Sequence, residues 1–439
     1  MRISSGYNRL LYVVIVLIYC FLYEWVNIFS IPAAMVYINI LKFVLPFVLF
    51  FGISSSFIPN FTLPKKYLLY FALFMLLGIL PNLFSGYILE TYLQWIKFMV
   101  RFFFCYVIFV YLLRHPEAKT VIMKALVLIA LGVVLQYTIL SMLYHPGDIS
   151  GFSLPISQKT SYFGPYGLWG DGNAFLNFEG SDLRIFRLTG FWFEPSNASA
   201  FLFMAFFLSR ALFKQTQQMR WRLSGFVCLG GGLLTFSNAG QLALGCAILS
   251  GFIVRFKEKR KNYLFYIIKV MIVLVCIFLF VFGRRIVAEY YPDNMVLRNI
   301  SGVRDAVKDP YSGRIEQLQY NKKIILENPA GIGFRIMGID TQGRGVAYAG
   351  SAPFVWLICA GWIGLFLILM REMQVLRSMR KRPLSFSSIY IFQAWVILFC
   401  QNLSLGTWMT PLYFLLVAMV FTAVYCPDDM GIMKQDCPV

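Results

Sequence analysis

Glu194 stands at the front of an apolar run, in RLTGFWFEPSNASAFLFMAFFLS (187–209), with Pro195 and Ser196 directly after it. A residue before proline is biased away from helical geometry, and proline suits the first helical position. Glu194 therefore reads as the residue just outside a helix start. A carboxylate there is held ionised by the helix dipole and can accept a proton from a substrate hydroxyl. The other reading is a plain N-cap that satisfies backbone N–H groups. Its depth in an apolar run favours the chemical role.

The second candidate set is cationic. Between 284 and 351 stand ten Lys or Arg, among them Arg304, Arg314, Arg335 and Arg344, against seven Asp or Glu. Most such charges belong to a solvated loop. Several arginines held over a cavity would suit a diphosphate through bidentate contacts. Within this stretch 312–327 reads as an amphipathic helix, with Ile315, Leu318, Ile325 and Leu326 on one face and Asn328-Pro329 ending it. Arg314 falls in its first turn, a poor place for a cation by dipole logic, so a local anion would compensate it.

Lys97 and Arg101 share a face of the apolar run 92–113. At helical rise they lie ~7 Å and ~13 Å inward. Lys97 can snorkel outward. Arg101 either serves the site or pairs with a buried carboxylate such as Glu24. The stretch 151–180 is rich in Gly and aromatics, and Tyr166 and Trp169 fit either sugar stacking or an interfacial belt. His115 and His145 are isolated, and the loops hold no Asp-x-Asp pair. No metal and no cofactor is expected.

The elements that position these groups are apolar spans. The 439 residues are 59% hydrophobic and 13% charged, whereas soluble domains carry about 25% charge. Continuous runs of roughly 15–22 apolar residues define an all-α polytopic membrane protein and not a barrel. Twelve spans are expected, near 10–29, 33–53, 67–86, 92–113, 121–144, 190–209, 223–236, 240–254, 264–283, 352–370, 389–403 and 408–425. They form a single membrane domain over 1–439. The net charge of +19 excludes nucleic acid as the partner, because the basic residues cluster between spans.

Charge sets the orientation. The N-terminal Arg2 and Arg9, Lys65-Lys66, Arg114/Lys119, RALFKQTQQMRWR, RFKEKRKNY and REMQVLRSMRKRP fall on one side, which the positive-inside rule makes cytoplasmic. Both termini are expected there, with long loops 145–189 and 284–351 opposite. Arg222 and Arg255 are too close in sequence for two full spans. Two short helices of ~15 residues, each ~22 Å, therefore join through FSNAGQ below the far surface. The run from Pro195 to about Ser209 is equally short, so its start is recessed too. Broken and short helices with polar turns at similar depth outline a vestibule.

These motifs, taken in order, resemble a family. R-x-x-G-F-W-F-E-P-S-N at 187–197 resembles the signature of bacterial O-antigen polymerases, and TFSNAGQLALGCAIL at 235–249 is similar to their following hairpin. SGRIEQLQYNKKIILENPAGIGF followed by GSAPFVWLICAGWIGLFLIL is similar to a block shared by O-antigen polymerases and ligases. The resemblance covers about 187–370. It implies a GT-C-like membrane glycosyltransferase that joins undecaprenyl-diphosphate-linked oligosaccharides at the periplasmic face of the bacterial inner membrane. It further implies a partner chain-length regulator. Glu194 would position or deprotonate the attacking hydroxyl, while Arg187, Arg314 and Arg335 would hold the diphosphate. Ligases of this superfamily carry a histidine just before the span after the large loop. Here that place reads AYAGSAP, which favours polymerase over ligase. A lipid-linked sugar transporter would show internal repeats and no large outside loop.

Overall fold

Apolar runs of the sequence become helices wherever the structure, a computed structural model, describes the chain: residues 5–24, 40–41, 44–49, 65–82, 88–143, 175–177, 184–186, 188, 195–235, 237–258, 314–334, 352–379, 384–404 and 410–425. The early helices are α1 (Ser5–Glu24), α2 (Lys65–Ile79, extended by a 3-10 turn Leu80–Asn82), α3 (Ile88–Arg114) and α4 (Pro116–Leu143). The middle ones are α5 (Pro195–Thr216), α6 (Met219–Leu234), α7 (Asn238–Glu258) and α8 (Arg314–Glu327). The last are α9 (Ala352–Ser378), α10 (Phe386–Ser404) and α11 (Pro411–Tyr425). Two short strands, β1 (Phe175–Asn177) and β2 (Arg184–Phe186), form an antiparallel hairpin with Phe175 opposite Phe186. The expected span at 264–283 lies outside the described residues, and of 33–53 only 40–41 and 44–49 are described, as helix.

Among the described residues five helices, α3, α4, α5, α9 and α10, are long and apolar enough to cross a membrane. At the centre lies α11, buried from Pro411 through Val424 and touching α1, α2, α3, α4, α9 and α10. A helix that is apolar all round belongs in such a place. Its neighbours meet it through rings: Phe414 stacks on Phe71, and Phe421 meets Tyr67 and Phe109.

Side-chain contacts fix which helix ends lie together. Tyr12 of α1 stacks on Tyr111 near the end of α3. Gln215, at the end of α5, accepts from Thr120 of α4 and donates to Ser387 of α10. Ser388 of α10 donates to the Ala423 carbonyl of α11. Arg371, late in α9, lies over Tyr67, early in α2. One end of the bundle therefore gathers the starts of α1, α2, α4, α6 and α10 with the ends of α3, α5, α7, α9 and α11. This end carries Lys65, Lys66, Arg210, Lys214, Arg220, Arg222, Arg255 and Arg377.

The α6–α7 hairpin follows the same geometry. Ser209 Oγ of α5 donates to the Trp221 carbonyl at the start of α6. The chain then runs back along α5 until Gly232 meets Phe203, and α7 returns with Gly240 against Ser199. Arg222 and Arg255 thus stand at one end, as expected.

Two expected lengths are corrected. Of the three helices expected to be short, α6 has 16 residues, but α7 has 21 and α5 has 22. At 1.5 Å per residue α5 spans ~33 Å, enough to cross, so a recessed start no longer follows from its length. The extra turns, from Arg210 to Thr216, carry cations whose charged groups lie over aromatic rings. Two cationic positions assigned to the basic loops are also corrected. Lys119 is buried in α4, and Arg371 is buried in α9, which runs on to Ser378.

Candidate active site at the end opposite the basic loops

The break in α9 organises this end. Ala360 (φ −137°, ψ 17°) and Gly361 (φ 62°, ψ −162°) leave the helical path. Gly361 occupies a region that only glycine tolerates without strain. The break deprives the carbonyls of Ile358 and Cys359 of their donors one turn on. The segment after α8 replaces them: Ile332 N–H donates to the Ile358 carbonyl (2.7 Å) and Gly333 N–H to the Cys359 carbonyl (2.9 Å). In return, Trp362 N–H donates to the Pro329 carbonyl (3.2 Å). In a membrane each such group left unsatisfied costs several kcal/mol. A β-carbon on Gly331 would lie 2.6 Å from Gly361 N, which accounts for a glycine at that close approach.

The same clip anchors α8. Asn328 closes it through N–H and Nδ2 bonds to the Ile324 carbonyl. Phe334 is buried between Phe98 (4.7 Å) and Phe74 (6.0 Å) and covers Gly78. Arg101 stands over Phe98 at 5.3 Å, half-buried, while Lys97 is exposed. Arg101 is thus one ring away from the clip.

The clip also sets the rotation of α8, and this corrects one expectation. Ile325 is buried, but Leu326 is 68% exposed. The covered face is centred between Asn321 and Ile325, and helical periodicity puts position 314 on that face. Asn321 was missed from sequence. Its side chain is fully buried, and neither amide atom has a hydrogen-bond partner among the described residues. Native proteins rarely leave a buried amide unpaired without a reason. The signal was a polar residue at the spacing of the apolar ones.

At the same end of the bundle as the clip, the start of α5 meets α7 and α10. Gln401 of α10 donates to Asn197 Oδ1 (3.0 Å). Ser237 caps α7 by accepting from Gly240 N–H (3.3 Å), and Thr235 Oγ1 accepts from Ser237 N–H (3.2 Å). Leu188 N–H donates to the Leu234 carbonyl (3.2 Å), tying the chain ahead of α5 to the end of α6. Polar groups thus line the junction where FSNAGQ was expected to be buried or wet.

Of the expected site residues, Glu194, Arg187, Arg304, Arg335, Tyr166 and Trp169 lie outside the described residues. Pro195 opens α5 and Arg314 opens α8. The clip and the start of α5 lie at one end of the bundle, opposite the basic end.

A second cluster, also missed, lies deeper. Arg371 Nε donates to Glu372 Oε1 (2.8 Å), and Tyr413 OH donates to Glu372 Oε2. The guanidinium lies over Phe71, Tyr67 and Phe414 at 5.0–5.9 Å. Among the described residues its neighbours all stand on packed helices, so it reads as a structural pair.

Fold and site together define a multi-pass membrane protein with a loop-bearing helix clipped into a broken span. Residues 223–369, about a third of the chain, match the family model described as O-antigen ligase. The match runs from α6 through the hairpin, α8 and its clip to α9, is consistent with the O-antigen polymerase/ligase superfamily, and supports an enzyme. No curated protein matches the chain.

Proposed function

We propose that this chain is an O-antigen polymerase. It joins oligosaccharide repeat units carried on undecaprenyl diphosphate at the periplasmic face of the inner membrane. The observation that carries the proposal is the gathering of the motif-bearing segments at one end. The start of α5 and the α6–α7 turn meet each other, and the α8 clip lies at the same end of the bundle, opposite the basic helix ends. The positive-inside rule makes the basic end cytoplasmic and the motif end periplasmic.

In the proposed reaction a hydroxyl of one lipid-linked unit attacks the anomeric carbon of the other chain. Glu194 takes the hydroxyl proton, and the lipid diphosphate leaves. Arg314, with Arg187, Arg304, Arg335 and Arg101, offsets charge on the leaving group. Tyr166 and Trp169 stack on sugar rings. Asn321 offers two donors and an acceptor to the same ligand. A chain-length regulator is the proposed protein partner.

The name of the matching family model favours a second reading, transfer of finished chains to lipid A-core. Against it stands AYAGSAP, which lacks the histidine that ligases carry there. Lipopolysaccharide gels from a deletion strain separate the two. A polymerase deletion leaves core capped with a single repeat unit. Bare core with polymer stranded on undecaprenyl diphosphate would mean a ligase, and an intact ladder would mean neither.

Substitutions test the residues. Glu194→Gln at normal protein level abolishes polymer; near-normal polymer would leave only an N-cap. Arg314→Lys is damaging because a point charge does not replace bidentate contacts, whereas Arg344→Lys is mild. Asn321→Leu removes an unpaired buried amide, so it leaves stability unchanged or raised while activity falls. Lower stability with unchanged specific activity would make Asn321 structural.

A further inference from the structure

At the basic end, three cations and three rings alternate in a closed circuit. Arg210 lies over Phe213 (6.0 Å) and Tyr390 (5.9 Å). Lys214 lies over Phe213 (5.9 Å) and Phe386 (5.4 Å). Arg255 lies over Phe386 (5.2 Å) and Tyr390 (5.2 Å). Each ring is shared by two cations and each cation by two rings, so three helices, α5, α7 and α10, hold three positive charges in one place. Every pair shares a ring within 6.0 Å of both members, so no two lie farther apart than twice that distance.

Among the described residues no carboxylate answers the charge of this circuit; Arg210 and Arg255 hydrogen-bond to Tyr390. None of the three cations forms an ion pair among the described residues. Arg255 Nε is buried without a hydrogen-bond partner among them. The circuit sits at the start of α10, the positive end of that helix, where Phe386 is the first residue. The ends of α5 and α7 return about half a negative charge each. Glu258, three residues beyond Arg255 in sequence, brings one carboxylate to α7. Together these leave the circuit positive. Phe386 is 50% exposed, so the circuit is open on one side, at the helix ends where a bilayer presents its headgroups.

We infer that the Arg210–Lys214–Arg255 circuit is a binding site for a phosphate anion, either the phosphodiester of an anionic lipid headgroup or free phosphate. Guanidinium groups present paired donors to phosphate oxygens, and basic pockets between spans are where such headgroups bind. The rings hold the cations in place before the anion arrives and make an apolar wall for the glycerol and first acyl carbons. This site is at the opposite end from the proposed active site and does not depend on it.

The test uses the purified full-length protein in neutral detergent. Binding of phosphatidylglycerol, of phosphatidylcholine and of inorganic phosphate is counted by native mass spectrometry and by the shift in unfolding temperature. Phosphatidylglycerol is expected to bind and stabilise where phosphatidylcholine does not. Added inorganic phosphate that displaces it shows that the site also takes the free anion; no displacement assigns the site to the lipid. Arg210→Gln/Arg255→Gln should weaken phosphatidylglycerol by about tenfold or more, the loss of charge-assisted bonds. Arg222→Gln, an exposed cation at the same end outside the circuit, should change it less than about twofold. Equal losses in the two variants would reduce the effect to bulk charge and overturn the proposal. If the double variant does not fold, the wild type still decides: equal binding of the anionic and neutral lipids, with none of phosphate, overturns it.

Discussion

The two halves of α9 depart from an ordinary apolar span in different ways. In its first half the backbone fails, at Ala360–Gly361, and a segment from outside the bundle supplies the missing hydrogen bonds. In its second half the side chains are at fault, since Arg371 and Glu372 are charged and buried. There the partners, Tyr67, Phe71, Tyr413 and Phe414, come from neighbouring spans. The first repair is made by a segment that follows α8, the second by the packed helices themselves. A loop-borne helix is thereby coupled to the membrane core at one depth and insulated from it at another.

Removing one partner of the deep pair should give the largest effect. Glu372→Leu leaves a buried, unpaired guanidinium and is expected to cost about 3–5 kcal/mol. Arg371→Met/Glu372→Leu should recover most of that loss, because a well-packed apolar pair replaces ion pairs at little cost. Unfolding in detergent checks both; a single variant as stable as wild type would mean the cluster is not a structural pair. Next comes Gly361→Ala. Its β-carbon would run into the Pro329 carbonyl and Ala330, and strain with overpacking makes about 2–4 kcal/mol. This loss should fall on the clip, read as faster proteolysis within 314–334 with little change in bundle unfolding. A matching drop in global stability would erase the distinction between the two halves. Gln401→Ala removes the bond to Asn197 at the start of α5 and should cost about 1–2 kcal/mol in the same unfolding assay. Smallest is Lys323→Ala on the open face of α8. Its contact with Glu327 is exposed, so less than about 0.5 kcal/mol is expected, and a larger value would mean α8 is buried further than its partners indicate.

The described apolar helices were legible because water and hydrocarbon impose one pattern on each run, and the hairpin was legible because two basic loops cannot face opposite sides. What was not legible was charge that stays inside. Arg210 and Lys214 read as loop, yet they continue α5, with their charged groups over Phe213, Phe386 and Tyr390. Arg371 and Glu372 ended a span on paper because nothing local announces Tyr413, 41 residues on. Asn-Pro-x-Gly-x-Gly-Phe stood out as a motif, but its work is a set of backbone bonds to Ile358 and Cys359, which no spacing rule reports. The face of α8 was misjudged by Leu326 for the same reason: its rotation is set by a distant break. Glu194 and most candidate arginines were chosen by residue type and order, and their weight still rests there.

The burial of α11 on every side has a consequence for biosynthesis. Spans leave the ribosome in chain order, yet the helix that touches α1, α2, α3, α4, α9 and α10 emerges after all of them. Until then the nascent bundle must keep a lipid-filled slot where that helix will go. A chain stopped before Pro411 would insert each earlier span and still have no centre, a ready substrate for membrane proteases.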